Sequence, residues 1–137
     1  MNRSAMRDLA FKFLYELESH REENLEEQIK VFFENNEISE EKVEEYVIST
    51  VKGIEEKLED IKKHISENLK ENWSIDRLSK INIAILKISI YEILYTDVPF
   101  KVAVNEAVEI AKKYSDDSAP NFINGVLASI IKKNNIA

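Results

Sequence analysis

The 137-residue sequence contains no cysteine, two glycines and two prolines. Without cysteine the chain cannot form a disulfide scaffold, a thiolate zinc site, an iron–sulfur cluster or a cysteine nucleophile. Average usage would give about 16 glycines and prolines in a chain of this length. Sandwiches, barrels and doubly wound sheets need many turn residues, so this shortage predicts an all-α protein.

The sequence also lacks a long apolar run and an apolar N-terminal signal segment. No stretch approaches the roughly 18 consecutive apolar residues that a transmembrane helix requires. We therefore expect a soluble protein of the cytoplasm with no membrane contact. The length fits one domain, residues 1–137, and the 44% hydrophobic and 33% charged content is typical of a globular chain.

The net charge of −7 is unevenly distributed. Residues 1–14 hold 3 basic and 1 acidic side chains, residues 15–72 hold 8 and 18, and residues 73–137 hold 8 and 7. This balance argues against a protein that binds nucleic acid through its whole surface. We expect the acidic middle segment to be mostly a solvated helix surface.

Apolar residues recur every three or four positions along most of the chain, the spacing of amphipathic helices. We predict about seven helices in two small packed bundles that divide near residue 72, with halves at 1–72 and 73–137. Asn24, Ser39 and Ser118 are the predicted N-cap residues of three of these helices.

Two segments are less regular. The apolar row from Val43 to Ile65 predicts one long helix, bent near Gly53. Residues 81–95 begin with isoleucines that nearly alternate, which is a strand pattern, but the run is long, lacks glycine and proline, and is apolar almost all round. Because no partner strand is visible elsewhere, we predict a buried central helix.

The residues offer little for catalysis. With only Gly53 and Gly125, the chain cannot build a phosphate-binding P-loop or a Rossmann glycine fingerprint. His20 and His64 lie in charged surroundings without a ligand-spaced partner, so we expect surface histidines and no metal site. Nothing marks any of the many carboxylate pairs for acid–base work, which needs a buried group in a cleft. We expect no catalytic residues, no cofactor and no enzyme activity.

Arg3, Arg7, Phe11 and Tyr15 stand four residues apart on the first predicted helix and form one ridge beside its buried stripe. Guanidinium groups in line with aromatic rings can hold phosphates and stack on unpaired bases, as recognition of single-stranded RNA requires. Alternatively, the arginines cover the bundle and the rings complete its core. Taken alone, the spacing favours this second interpretation.

A second pattern consists of VPFKVAVNEAVEIAK at residues 98–112 followed by NFINGVL at residues 121–127. A glycine inside a helix costs about 1 kcal/mol relative to alanine, so we expect Gly125 to permit close helix packing. Phe122 lies at the rim of its apolar arc, where a ring either seals the core or faces a ligand.

These motifs resemble the NusB family of bacterial transcription antitermination factors. The most specific match is VP…V…NEAVE…AK followed by NF.NGVL, and ILKISIYEIL resembles the family segment ILR.A.YEL. The family's N-terminal motif R…R..A…LY is matched by Arg3, Arg7, Ala10, Leu14 and Tyr15. The resemblance covers nearly the whole chain and is weakest over residues 19–72.

The resemblance implies two small helical bundles, no catalysis and a complex with NusE, a ribosomal protein of the small subunit. Such a pair binds the boxA sequence of nascent ribosomal RNA leaders, and the modified RNA polymerase elongation complex then reads through terminators. By position it implies RNA-binding roles for Arg3, Arg7, Lys101 and Phe122 and a NusE contact for Tyr15. Two further candidates depart from the family pattern. Lys12, an RNA-binding candidate, stands where glutamine is common, and Asn82, a partner-binding candidate, stands where an acidic residue often contacts NusE.

Two other functions remain open. A similar helical module forms the N-terminus of some RNA cytosine methyltransferases, but such an enzyme needs a following glycine-rich catalytic domain, which residues 1–137 do not contain. The second open function is that of a protein-interaction bundle without an RNA role. RNA binding measured with and without NusE distinguishes these functions.

Overall fold

The computed structural model describes residues 1–21 and 23–137. This part of the chain contains seven α-helices and no strand, which confirms the predicted all-α class. The helices are α1 (Arg3–Ser19), α2 (Leu25–Asn35), α3 (Glu41–Glu56), α4 (Leu58–Glu67), α5 (Lys80–Tyr95), α6 (Phe100–Tyr114) and α7 (Ala119–Lys133). A single 3-10 turn, Ile75–Arg77, precedes α5. None of the helices in these residues is long and apolar enough to cross a lipid bilayer.

The predicted helix caps are confirmed only in part. Asn24 caps α2 as predicted, because its side chain accepts a hydrogen bond from a backbone N–H of the first turn. The predicted cap at Ser39 is wrong, since Glu40 occupies the N-cap position of α3 and makes no capping bond with its side chain. Ser118 does precede α7, but its hydroxyl donates to Asp116 at 2.8 Å and makes no bond to the helix backbone.

The long helix predicted over residues 43–65 is two helices. Lys57, with φ −104° and ψ 13°, separates α3 from α4. The break therefore lies four residues beyond Gly53, where the bend was expected. Gly53 instead makes room for α5, because a β-carbon at this position would collide with the hydroxyl oxygen of Tyr91 and lie 2.5 Å from the ring carbon that bears it.

Helix α5 is the centre of the fold and packs against α1, α3, α4, α6 and α7. This confirms the buried helix predicted over residues 81–95. Because neighbours cover α5 on so many sides, its apolar residues occupy nearly every face and imitate the alternation of a strand. Three of its polar side chains, Lys87, Ser89 and Glu92, are nevertheless buried. The core residues of both sequence halves belong to one hydrophobic cluster.

Candidate functional site

Arg7, predicted to lie on a ridge beside the buried stripe of α1, is buried. Its side chain is 3% exposed, and Nε and Nη2 donate hydrogen bonds of 2.8–3.0 Å to the two carboxylate oxygens of Glu92. Nη1 lies 3.4 Å from a carboxylate oxygen of Glu106. The expectation of a surface guanidinium at position 7 is therefore wrong, since carboxylates of α5 and α6 hold this group inside the protein.

Phe11, the next member of the ridge, is also buried. Its ring stacks on that of Tyr114, with ring centroids 5.3 Å apart. Helix α1 packs against both α3 and α5, and Tyr114 of α6 covers it from a third direction. The buried arc of α1 is therefore wider than its apolar stripe suggests. Only the two ends of the predicted ridge, Arg3 and Tyr15, are exposed.

The buried charges around Glu92 stabilise one another. Burial alone would lower the pKa of Arg7, but the hydrogen bond and the negative charge of Glu92 raise it above its ordinary value. Burial, and then the charge of Glu92, also raise the pKa of the Tyr46 hydroxyl on α3. Arg7 thus stays charged and joins α1 to α5, which gives the N-terminal half of α1 a fixed position.

Arg3 and Lys101 are both exposed, but they face different grooves. Arg3 lies at the rim of a cleft of about 490 Å³ that the α5–α6 loop and Pro99 help to line. Lys101, in the first turn of α6, opens onto a groove that it shares with Asn124 and Lys132. The structure therefore places two accessible cationic side chains on either side of the start of α6.

Lys12 lies on another part of the surface. Its ammonium nitrogen is 3.4 Å from a carboxylate oxygen of Asp8 and 5.8 Å from the centre of the Tyr114 ring. The next residue along α6, Ser115, donates a hydrogen bond of 2.8 Å to the side-chain oxygen of Asn82. Lys12 thus contacts the end of α6 and does not line the cleft of Arg3.

Tyr15 and Asn82, the two predicted partner contacts, lie on α1 and α5, whose ends meet at Ser19 and Lys80. Tyr15 is 41% exposed, although most large apolar side chains of the chain are buried. Lys80 donates a hydrogen bond of 3.0 Å to the Ser19 hydroxyl, which ties the end of α1 to the start of α5. Asn82 follows two residues later and is half-buried. We call this region the α1–α5 edge.

Phe122 is half-buried on α7 and lines a cleft of about 560 Å³. Lys70, Trp73, Asn121 and Gly125 also line this cleft, which we call the α7 cleft. A methyl group at Gly125 would meet no other heavy atom within 4 Å, leaving aside its own stretch of helix and considering the described residues. The prediction that Gly125 permits close helix packing is therefore wrong.

Trp73 is a candidate that sequence patterns do not reveal, because they mark it only as part of a segment boundary. It is 54% exposed in the α7 cleft. The available signal was weak: Trp73 is the one tryptophan of the chain, and it lies in a polar stretch between two amphipathic segments.

A second buried ion pair also escaped the sequence patterns. Lys87, buried within α5, pairs with Glu18 near the end of α1, and Arg21 donates to both Glu18 and Glu55. Burial lowers the pKa of Lys87 even though Glu18 opposes that shift. These contacts hold the C-terminal half of α1, which carries Tyr15. The sequence feature that could have indicated this pair is a charged residue, Lys87, inside the largely apolar segment 81–95.

Comparisons with known proteins show the family of the chain. A model of the NusB family matches residues 4–132. The chain is 50% identical to the transcription antitermination protein NusB of Clostridium novyi, over 96% of this chain and 99% of the relative. A structure of T. maritima NusB superposes with a TM-score of 0.87 at 36% identity, over 97% of this chain and 92% of that one. A chain from a crystal structure of the antitermination factors NusB and NusE in complex with double-stranded RNA superposes with a TM-score of 0.84 at 31% identity, over 96% of each chain.

Proposed function

The chain belongs to the NusB family, and we propose that it is a transcription antitermination factor that binds RNA as a pair with NusE. Its RNA target is the boxA sequence of ribosomal RNA leaders, and its effect is read-through of terminators by the RNA polymerase elongation complex. The protein acts in the cytoplasm, and its role is binding without catalysis.

One observation carries this proposal. The structural likeness to a chain from the complex of NusB, NusE and double-stranded RNA extends over nearly the whole of both chains. The likeness therefore includes both the α1–α5 edge and the surfaces around α6 and α7. This favours an adaptor that joins a protein and an RNA over a bundle that contacts proteins alone.

We assign the direct RNA contacts to Arg3, Lys101 and Phe122, whose side chains are accessible. In a protein with a net charge of −7, RNA affinity must come from a few local contacts, because screening limits attraction to about 10 Å at 0.1 M salt. Arg7 contributes as a positioning residue, since its guanidinium is held by Glu92 and fixes the helix that carries Arg3.

We assign the NusE contact to the α1–α5 edge, with Tyr15 and Asn82. Tyrosine is well suited to protein interfaces because it combines a large apolar ring with a polar tip. Lys12 does not line the cleft of Arg3, and we propose that RNA reaches Lys12 only when NusE is bound.

The test measures binding of a single-stranded boxA oligonucleotide by fluorescence anisotropy, with and without NusE. We expect the pair to bind clearly more tightly than the chain alone. Tyr15→Ala should weaken the association with NusE and leave the helical circular dichroism spectrum unchanged. Val102→Ala is the matched control, because Val102 is 42% exposed and Tyr15 is 41% exposed, and it should leave NusE affinity unaltered.

The outcomes separate the candidate functions. A pair that forms but binds no RNA would identify an interaction bundle without an RNA role. Equal RNA affinity of the free chain and of the pair would refute the dependence on NusE. If Tyr15→Ala lowers the stability of the protein but the folded variant keeps full NusE affinity, Tyr15 belongs to the core and not to the interface.

A further inference from the structure

Gly125 has no evident role in the fold. It lies near the middle of α7, it is exposed, and an added methyl group would touch nothing beyond its own helix in the described chain. Its φ is not positive, so the backbone does not require glycine either. Alanine would favour the helix more. A glycine that the fold does not need leaves bare backbone at the floor of the α7 cleft, where a ligand can approach closely.

Two aromatic rings with accessible surface line the α7 cleft. Trp73 is 54% exposed, and Phe122 is half-buried. Trp73 follows Asn72, which has a φ of 74°, and its backbone N–H donates a hydrogen bond of 3.0 Å to the Lys70 carbonyl. This tight turn sets the indole beside α7. Accessible flat rings in a groove are the usual platform for unpaired bases, and stacking tolerates any base.

The remaining side chains of the α7 cleft suit a nucleotide. Lys70 supplies a positive charge, and the described residues that line the cleft include no carboxylate. This contrasts with the surrounding protein, whose segment 15–72 holds 8 basic and 18 acidic residues. Asn121 is exposed at the same cleft and carries an amide that can donate to and accept from a base edge.

From these observations we propose that the α7 cleft is a binding subsite for one unpaired nucleotide of the RNA, with Trp73 and Gly125 as its determinants beside Phe122. The base stacks against the aromatic walls and passes over the bare backbone of Gly125. Lys70 neutralises an adjoining phosphate. The inference rests on the proposed function, since it specifies how RNA is held on the α7 side.

Gly125→Ala is the sharpest test, because it should move stability and RNA binding in opposite directions. The variant should unfold at the same or a higher urea concentration than the wild type, since alanine favours the helix. Its complex with NusE should bind the boxA oligonucleotide several-fold more weakly, because the methyl group occupies the path of the base. Affinity for NusE, measured without RNA, should not change.

Trp73 offers a second, independent test. Trp73→Ala should weaken RNA binding by the NusE pair roughly five- to a hundredfold, the range for loss of one stacked base, whereas Trp73→Phe should retain most of the affinity. The single tryptophan also reports directly, since a base stacked on the indole quenches its fluorescence. The Trp73→Phe pair supplies the background from NusE.

The results distinguish this inference from the proposed function. If the wild-type pair binds RNA and both Gly125→Ala and Trp73→Ala bind it equally well, the subsite is refuted and the proposed function stands. If these variants lose affinity for NusE and not for RNA, the α7 cleft is a protein contact and the proposal is wrong. If the wild-type pair binds no RNA, both proposals fail.

Discussion

Gly53 and Gly125 each lie within a helix, where glycine costs about 1 kcal/mol relative to alanine, but their surroundings differ. At Gly53 the missing side chain leaves room for the phenol end of Tyr91, and a β-carbon would collide with its hydroxyl oxygen and lie 2.5 Å from the ring carbon that bears it. At Gly125 the same carbon would enter open space. Packing against α5 therefore explains the first glycine, and contact with a ligand explains the second.

Gly53→Ala should lower the free energy of unfolding by up to about 2 kcal/mol. The added carbon forces the Tyr91 ring out of its place and overpacks the α3–α5 contact at a cost of about 1–3 kcal/mol, whereas alanine favours the helix by about 1 kcal/mol. Urea denaturation followed by circular dichroism measures this loss. Gly125→Ala is the matched control, and it should raise the free energy of unfolding by up to about 1 kcal/mol. Equal stability of the two variants would contradict the packing role of Gly53.

Helices α1 and α5 are joined by two buried ion pairs, Arg7 with Glu92 and Glu18 with Lys87. In each helix the positive residue comes first along the chain. The two pairs therefore form only when the helices run antiparallel, because a parallel arrangement would bring together residues of like charge. Such pairs add little net stability over apolar residues, but they disfavour the wrong arrangement.

Glu92→Leu should lower the free energy of unfolding by about 3–5 kcal/mol, because it leaves the buried Arg7 guanidinium without its main partner. The double variant Arg7→Met/Glu92→Leu should lose much less, since no unpaired charge then remains inside. Urea denaturation of Arg7→Met, of Glu92→Leu and of the double variant measures the coupling energy between the two side chains. Losses that simply add would show that the two side chains act independently.

The same double variant tests how Arg7 acts in RNA binding. If Arg7 only positions α1, the folded Arg7→Met/Glu92→Leu protein with NusE should bind the boxA oligonucleotide with an affinity close to that of the wild type. Arg3→Ala, which removes an exposed guanidinium from the same helix, is the comparison and should weaken binding. If the double variant binds the oligonucleotide as weakly as Arg3→Ala does, Arg7 contacts a phosphate directly.

The charge of the whole molecule is divided between its two sequence halves. The segment 15–72, which includes α2, α3 and α4, holds 8 basic and 18 acidic residues, whereas segment 73–137 is close to neutral. The RNA-binding candidates Arg3, Lys101 and Phe122 all lie outside the acidic segment. RNA is therefore expected to approach the side of α6 and α7, because the acidic helices repel phosphate.

This distribution predicts the salt dependence of RNA binding by the NusE pair. Each phosphate contact contributes about 0.7 to the slope of log affinity against log salt for a single strand, so Arg3→Ala/Lys101→Ala should flatten the slope by about 1.4. A salt titration of the complexes measures it. Lys30→Ala, at an exposed lysine of α2, is the control and should leave the slope unchanged. If the slope of the double variant is unaltered, Arg3 and Lys101 do not contact phosphates, and Lys12 becomes the next candidate.

The amino-acid pattern was sufficient to predict the family and the helices other than the division of α3 from α4. Turn residues are scarce, apolar residues recur at helical spacing, and Asn24 caps its own helix, all of which are local properties of the chain. The central helix over residues 81–95 could be predicted for the same reason, because its length and composition outweigh its alternation. The motifs around Asn105 and Phe122 indicate the family without any knowledge of their surroundings.

The positions of the side chains depended on neighbours that are distant in sequence. The spacing of Arg7 and Phe11 predicts a ridge, but their burial results from α3, α5 and α6 closing around α1. The spacing at Gly125 is equally compatible with packing and with an open cleft, and only the open space around Gly125 in the described fold distinguishes them. Periodicity describes which residues share a face of a helix, whereas the number of neighbours that cover that face is set by long-range packing.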